Sequence, residues 1–322
     1  MRNFLHKISF LVRLAKSFAY DFKRYFTYSS SLDNENSVLI NLVMLVHIVE
    51  KGLIIPPEKF RLGFGSKHLS DIFICLDKLV INKEDLDSRI EYVFQILKLY
   101  LATHQKINSK FKIPCQDGFE KYKEYIEKAK LIQIPIISNK DYEKSCEMNF
   151  ADFCHIRHSI RDFSNDKISQ EEILDAIKLA QCAPSACNRQ NPKIIVIRDK
   201  SCISQVMNLQ QGGRTFSDKI DTLFIVCSDL EGYWYANERR CSLLDAGLFA
   251  MQLVNGLLYK GIGSCVLHWS VLPSKDKMLR ETITIPPNWE VALFIAAGKL
   301  PNSVSVCPAI RRSPQDIMMI ME

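Results

Sequence analysis

The hydrophobic pattern of this chain changes period partway along, and that change limits the folds open to it. Up to about residue 132 the apolar residues recur at steps of three and four, the spacing of one helix face. Beyond about residue 150, short apolar runs alternate with helical stretches. Lys193 to Arg198 reads KIIVIR and Leu223 to Cys227 reads LFIVC. Such short β-branched and apolar runs suit buried strands. Ser264 to Leu267 and Val291 to Ala297 supply further strands. A helix from Ser169 to Gln181 opens with Ser169 and Glu172 at capping-box spacing, and a longer one from about Arg240 to Tyr259 ends near Gly261. The alternation predicts an α+β or α/β domain, a mixed sheet flanked by helices, preceded by an all-helical region.

Within residues 1–132, Val38, Leu42, Leu45 and Val49 predict a helix capped by Asp33 or Asn34 and ended by Gly52. Pro56 and Pro57 then enforce extended backbone, and Gly63 and Gly65 mark a turn. Another helix is expected between Leu69 and Leu79. Asp85 opens a stronger one, with Leu86, Ile90, Val93, Leu97 and Tyr100 on one face. A last one runs from Phe119 to Leu131 with Lys121, Glu124, Lys128 and Lys130 outward. Residues 133–149 hold Pro135 and no clean period, so they read as a linker to a second domain over 150–322.

Composition narrows the class. The net charge of +6 is too small to argue for nucleic acid and reads as an ordinary solvated surface. Eleven cysteines with no C-x-x-C pair, in contexts such as Cys75, Cys182 and Cys227, read as buried thiols in a reducing, cytoplasmic setting. His155 and His158 come nearest to metal spacing, but no cysteine pair completes them, so no metal site is expected. Phe4, Ile8, Leu11, Ala15, Phe18 and Phe22 form one stripe among Arg2, Lys7, Arg13, Lys16, Lys23 and Arg24. A helix packed on this chain or on a partner subunit is the favoured reading. The other is a peripheral helix over residues 1–26 lying on an anionic membrane. Ile8 to Val12 is too short, and Arg13 too near, for a secretory signal.

Three segments carry chemistry. Arg157, His158, Ser159 and Arg161 crowd two guanidinium forks, an imidazole and a hydroxyl into five residues, a set suited to a phosphate. A solvated basic turn shares that composition. Ala183 to Pro192 (APSACNRQNP) places small residues where a planar ring approaches backbone, stiffened by Pro184 and Pro192, with Asn188 and Gln190 offering amides to the ring's polar edge. An ordinary helix-to-strand connection is the bland alternative. Gly261 to Trp269 runs from helix end into strand, the wrong order for a Rossmann fingerprint, and Gly63-Phe64-Gly65 fails the same test.

Together these segments resemble the nitroreductase family of FMN enzymes. RHSIRDF followed by APSACNRQ is similar to that family's opening signature, LLDAGLFAMQLVNGLLYKGIGSC to its central helix and strand, and Arg311-Arg312 to its C-terminal basic pair. The likeness covers about Asn149 to Ile320 and implies a nitroreductase-like FMN-binding domain over 150–322. It implies that Arg157, His158, Ser159 and Arg161 hold the phosphate, ribityl chain and one flavin edge. Pro184, Ser185, Ala186 and Asn188 would line the same flavin from the second subunit of a homodimer, with Gln190 supporting their loop. Backbone near His268 and Trp269 would face the ring, Arg311 and Arg312 would close the phosphate end, and Arg214 lies where the family often contacts FMN. Asn191 interrupts the family's glutamine-proline step, and the aromatic residue that follows it there is missing. Tyr233, Trp234 and Tyr235 fit a substrate lid or a dimer core equally.

The resemblance implies hydride transfer from NADH or NADPH through flavin to a small-molecule acceptor, with no side chain acting as acid, base or nucleophile. Two alternatives stay open: oxidation of a small or sugar-linked substrate, and a flavin-fold scaffold without turnover. His47 to Leu53 (HIVEKGL) and Arg61 to Gly65 (RLGFG) resemble motifs of long nitroreductase-like proteins associated with polysaccharide biosynthesis. His47 and Glu50 themselves read as a local hydrogen-bonded pair at a helix end.

Overall fold

A computed structural model describes residues 2–29, 35–56, 58–79, 81, 86–210, 212–233 and 235–321. Asp33, Asn34, Pro57, Asp85 and Trp234 lie outside the described residues. The chain forms two compact units, one of Lys23–Pro135 with Cys307–Glu322, the other of Met1–Phe22 with Ile136–Val306. The boundaries differ from the sequence reading: the last sixteen residues group with the helical unit, residues 1–22 with the sheet unit, and residues 136–149 of the segment read as a linker also belong to the sheet unit.

Helix α1 (Arg2–Ser29) crosses the division at Phe22. Its stripe, expected to pack on this chain or on a partner subunit, is not covered by this chain: Ile8, Leu11 and Phe18 are 43%, 63% and 54% exposed.

The helical unit holds α2 (Glu35–Leu53), α3 (Ser66–Asp77), α4 (Ser88–Ile107), α5 (Gln116–Lys121) and α6 (Lys123–Lys128). Val38, Leu42, Leu45 and Val49 of α2 and Ile90, Val93, Leu97 and Tyr100 of α4 share one buried core. The cap of α4 is Asp87, whose carboxylate accepts the Arg89 amide at 2.8 Å and the Arg89 guanidinium. That guanidinium, foremost through its hydrogen bonds, holds the Asp87 carboxyl below the ordinary range. The single helix expected to Leu131 divides at Tyr122, whose ring is buried while its hydroxyl reaches Asp77.

The glycine-rich turn has a packing role. A Cβ on Gly52 would lie 2.0 Å from the Phe64 ring, so the ring occupies the space that the absent side chain leaves. Phe64 packs edge-on to Tyr100 with ring centroids 5.2 Å apart, and the Tyr100 hydroxyl donates to the Phe64 carbonyl at 2.9 Å. The Gly63 amide donates to His104 Nε2 at 3.1 Å, which leaves Nδ1 to donate to the Tyr100 carbonyl at 2.8 Å. His104 is buried and neutral in this arrangement, and burial lowers its pKa.

The sheet unit contains β1 (Ile136–Ser138), α7 (Asn139–Glu143), α8 (Phe150–Ile156), α9 (Gln170–Ala180), β2 (Pro192–Ile197), α10 (Lys200–Leu209), β3 (Thr222–Asp229), α11 (Cys241–Tyr259), β4 (Ile262–His268), α12 (Pro273–Thr282), β5 (Trp289–Lys299) and β6 (Ser303–Ser305). Four strands join in the order β2-β3-β5-β4, every ladder antiparallel. The parallel component is an isolated bridge from Ser159 to Ser264. β1 pairs with β6 in a separate ribbon, which accounts for the supposed linker: three residues are too few to show a period.

The central strand β3 shows why its sequence reads as an unbroken apolar run. Leu223, Ile225 and Cys227 enter one core with Ile203, Val206 and Met207 of α10. Phe224 and Val226 enter another with Ala246, Phe249, Leu253 and Leu257 of α11. Both faces are buried, so alternation vanishes. Burial pushes the Cys227 thiol up to about 12. Cys75 is buried as well, whereas Cys182, expected inside, is exposed on the turn after α9. One described helical stretch, Ala236–Tyr259, has the length and apolarity to cross a membrane, and 56% of its apolar window is buried in this unit.

Two outcomes follow for the helical unit. Gly52→Ala forces the Phe64 ring to move and should lower stability by about 1–3 kcal/mol in urea unfolding. Because the folded His104 resists a proton that the unfolded imidazole takes near its ordinary 6.5, the unfolded state binds more protons below that value. Its contribution to stability is complete above that pH and falls away as pH drops toward the folded pKa. His104→Gln should flatten this part of the pH profile.

Candidate functional site

The segment Arg157–Arg161 follows α8 as extended chain along the outer edge of β4. The Ile160 amide donates to the Ser264 carbonyl at 2.9 Å, and Ser159 bridges Ser264 in parallel. Ile160 is fully buried, so period-two alternation sends Ser159 and Arg161 to the opposite face, where both are half-buried. A Cβ on Gly263 would lie 3.1 Å from the Ile160 side chain and 2.7 Å from Leu300, and its absence lets Ile160 seat beside β4. The His158 amide donates to the Tyr142 hydroxyl at 3.4 Å, and His158 Nδ1 pairs with the Ile156 carbonyl at 2.9 Å. Burial first raises the Tyr142 pKa, so its phenol stays protonated, while its contacts with His158 and Arg157 oppose that rise.

Parallel pairing carries this segment in the direction in which β4 runs, toward His268. At that end Gln210, a residue the sequence reading passed over, ties two loops together. Its Nε2 donates to the His268 carbonyl at 3.1 Å, and its Oε1 accepts the Gly213 amide at 3.0 Å and the Gly212 amide. Arg214 follows directly and is exposed. Gln210, His268, Trp269, Ser270, Val271 and Lys275 line a cavity of about 340 Å³. The Trp269 side chain turns away into the core, its ring 4.8 Å from Phe294 and its Nε1 donating to Asp276 at 3.0 Å. His268 is exposed.

The loop Ala183–Pro192 enters β2 at the other edge of the sheet. Cys187, Asn188 and Gln190 have φ of 52°, 54° and 53°, left-handed values uncommon for such residues. Buried Asp245 on α11, a second residue that sequence reading missed, anchors the loop. Its two carboxylate oxygens accept the Ala186 amide at 3.1 and 3.2 Å, and Oδ2 accepts the Tyr233 hydroxyl at 2.9 Å. Ser185 Oγ accepts the Gln190 amide at 3.0 Å, and Gln190 Nε2 donates to Asn188 Oδ1 at 3.4 Å. Arg189 donates to the Gly232 carbonyl at 2.9 Å and to Glu238 at 2.8 Å. Pro184, Ser185 and Gln190 border a cavity of about 350 Å³ floored by Ile177, Ile194 and Phe249. Asn188 is exposed beside it.

Tyr233 is thus an internal tie to Asp245, and Tyr235 is 62% exposed. Asn191 packs beneath Gly232, and its carbonyl accepts the Asp229 amide at 3.1 Å. Arg311 and Arg312 lie on the C-terminal segment of the helical unit, exposed, where Arg311 donates to the Ala309 carbonyl at 2.9 Å and Arg312 to the Asp316 carbonyl at 3.0 Å. The structure therefore brings Arg157, His158, Ser159, Arg161, Arg214, His268 and Trp269 to the β4 edge of one unit. It sets the amide-bearing loop at the β2 edge. From Ser159 to β2 there are four inter-strand spacings, about 19 Å.

An antiparallel sheet buried on both faces, with polar and cationic groups collected at its two edges, defines an α+β ligand-binding domain. The family model for the nitroreductase family matches residues 156–207. A protein of Archaeoglobus fulgidus, provisionally named an NADH dehydrogenase/NAD(P)H nitroreductase, is 31% identical over 146 residues, 45% of this chain and 81% of its own length. The FMN reductase [NAD(P)H] of Bacillus subtilis is 29% identical over 99 residues, 31% of this chain, and the match spans 37% of that enzyme's length. A provisionally named nitroreductase of Exiguobacterium sibiricum, solved in complex with FMN, aligns with a TM-score of 0.49 at 18% identity over 54% of this chain and 98% of its own. This chain belongs to the nitroreductase family.

Asp245→Ala leaves the Ala186 amide without its acceptor, while the Tyr233 hydroxyl keeps Ser228 as a partner. Stranding the amide costs about 1–3 kcal/mol. Hydrogen exchange over residues 183–191 should quicken while β3 and β5 stay protected; equal quickening throughout would mean that Asp245 supports the whole sheet.

Proposed function

We propose that this chain is an FMN-dependent oxidoreductase that passes hydride from NADH or NADPH to a small-molecule acceptor, and that it does so as a homodimer. The observation carrying this reading is the placement of complementary groups at opposite edges of one sheet. Arg157, Ser159 and Arg161 stand side by side on the β4 edge, a donor set that matches a phosphate monoester. The loop bearing Asn188 and Gln190 stands about 19 Å away by strand spacing. The first set would hold the flavin phosphate, and the second set, from another copy, would border the ring. Membership of the nitroreductase family and the names of the curated relatives support the chemistry.

The residues fit the group. The loop is held in a left-handed course by Asp245 and Ser185, so its small side chains leave a shallow apolar cavity bordered by amides. When bound, FMN supplies two-electron hydride chemistry between a nicotinamide and an acceptor. Arg157 and Arg161 neutralise the phosphate, and Ser159 adds a directional hydroxyl donor. His158, its Nδ1 paired with the Ile156 carbonyl, would contact the ribityl chain. Gln210 fixes the backbone at His268 and beside Arg214, so amide dipoles there are set before any ligand arrives. Asn188 and Gln190 offer donors and acceptors to the polar edge of the ring. No side chain moves a proton in this scheme. Eleven thiols with no disulfide support a reducing, cytoplasmic setting.

Purified protein should be yellow, release FMN on denaturation, and bleach when mixed anaerobically with NADH or NADPH. Loss of one charged hydrogen bond is worth about 1.5–3 kcal/mol, so Arg157→Ala should weaken FMN retention roughly ten- to hundredfold. Colourless protein that cannot be reconstituted, or unchanged FMN content in Arg157→Ala, counts against the assignment.

A further inference from the structure

We propose that the helical unit carries a divalent transition-metal site, of the zinc class, formed by His47, Glu50 and Cys307. One ligand atom from each of these residues lies within 4.8 Å of the others, the one such mixed group among the described residues. His47 and Glu50 stand one turn apart on α2, and Cys307 begins the C-terminal segment of the same unit. Nitrogen, carboxylate oxygen and thiolate sulfur form the donor set that borderline divalent ions prefer. Around a tetrahedral zinc ion such atoms sit about 3.3–3.6 Å apart, so the three need move by only about 1 Å.

The surroundings are those of a ligating carboxylate. Glu50 is 2% exposed. Its Oε1 accepts the Tyr92 hydroxyl and the Ala309 amide, the latter at 3.1 Å, while Oε2 faces His47 Nδ1 at 2.7 Å. One oxygen is thus fixed by two outer donors, and the other is left with a partner that a metal can replace. Ala309, whose amide completes this arrangement, has φ 46°, a left-handed conformation that a residue with a Cβ adopts at a penalty. The His47 side chain is 43% exposed, and water would supply the fourth ligand. The buried Cys307 thiol supplies the soft ligand. Binding would release the thiol proton and join the C-terminal segment to α2.

The test is titration of chelator-treated full-length protein with cobalt(II), which reports a sulfur ligand by a near-ultraviolet thiolate charge-transfer band. One equivalent should bind and develop that band. Cys307→Ser should abolish it. His47→Gln, at a half-exposed position that folding tolerates, should weaken binding at least tenfold with the band restored at saturation. Tyr92→Phe should weaken it about ten- to hundredfold through the outer hydrogen bond. Zinc should displace cobalt and protect residues 307–321 from proteolysis. Absence of stoichiometric binding, a band of undiminished intensity in Cys307→Ser, or unaltered affinity in His47→Gln overturns the proposal. Circular dichroism of each variant separates loss of ligand from loss of fold.

Discussion

Burial of β3 and β5 on both faces is the constraint from which the sheet unit follows. Phe224, Val226 and Ile295 point into one core, while Leu223, Ile225 and Phe294 point into the other. A polar side chain on either face then needs a buried partner, as Thr222 has in Asp221 and Ser228 in Tyr233. Polar function is driven outward to the strand edges and the loops that leave them. That is where Ser159 and Arg161 run beside β4, and where Asn188 and Gln190 stand before β2.

The edges need support of their own. At β4 it comes from backbone: one amide from Ile160 and the missing side chain of Gly263. At β2 it comes from the buried carboxylate of Asp245 under a strained turn. Gln210 performs the same office for the two segments that meet at His268. None of these supporting groups faces outward, and each fixes the backbone before a ligand is present.

Much of the fold was legible because local periodicity and capping carry it. Ser169 and Glu172 form the capping box that their spacing suggests, and the unbroken runs at 193–198 and 223–227 are strands. What sequence did not show depends on distance. β1 exists because β6 pairs with it across most of the unit, and three residues carry no period. α10 could have been found, since Asp199 caps it and Ile203, Val206 and Met207 repeat at helical spacing. Asp245 was hidden inside an apolar helix, where an acidic residue without its partner reads as an exposed position. Arg311 and Arg312 resemble a basic pair of the family, but residues 307–322 group with the helices, which no local signal announces.

The seat of Phe64 over Gly52 binds two stretches of the helical unit that lie twelve residues apart. Since the ring fills the volume a side chain at 52 would take, neither position can vary by itself. In descendants of this sequence a bulkier residue at 52 has to arrive with a slimmer one at 64. The pair is inherited as one character, and the turn between them is free to drift only so far as it keeps the Gly63 amide on His104.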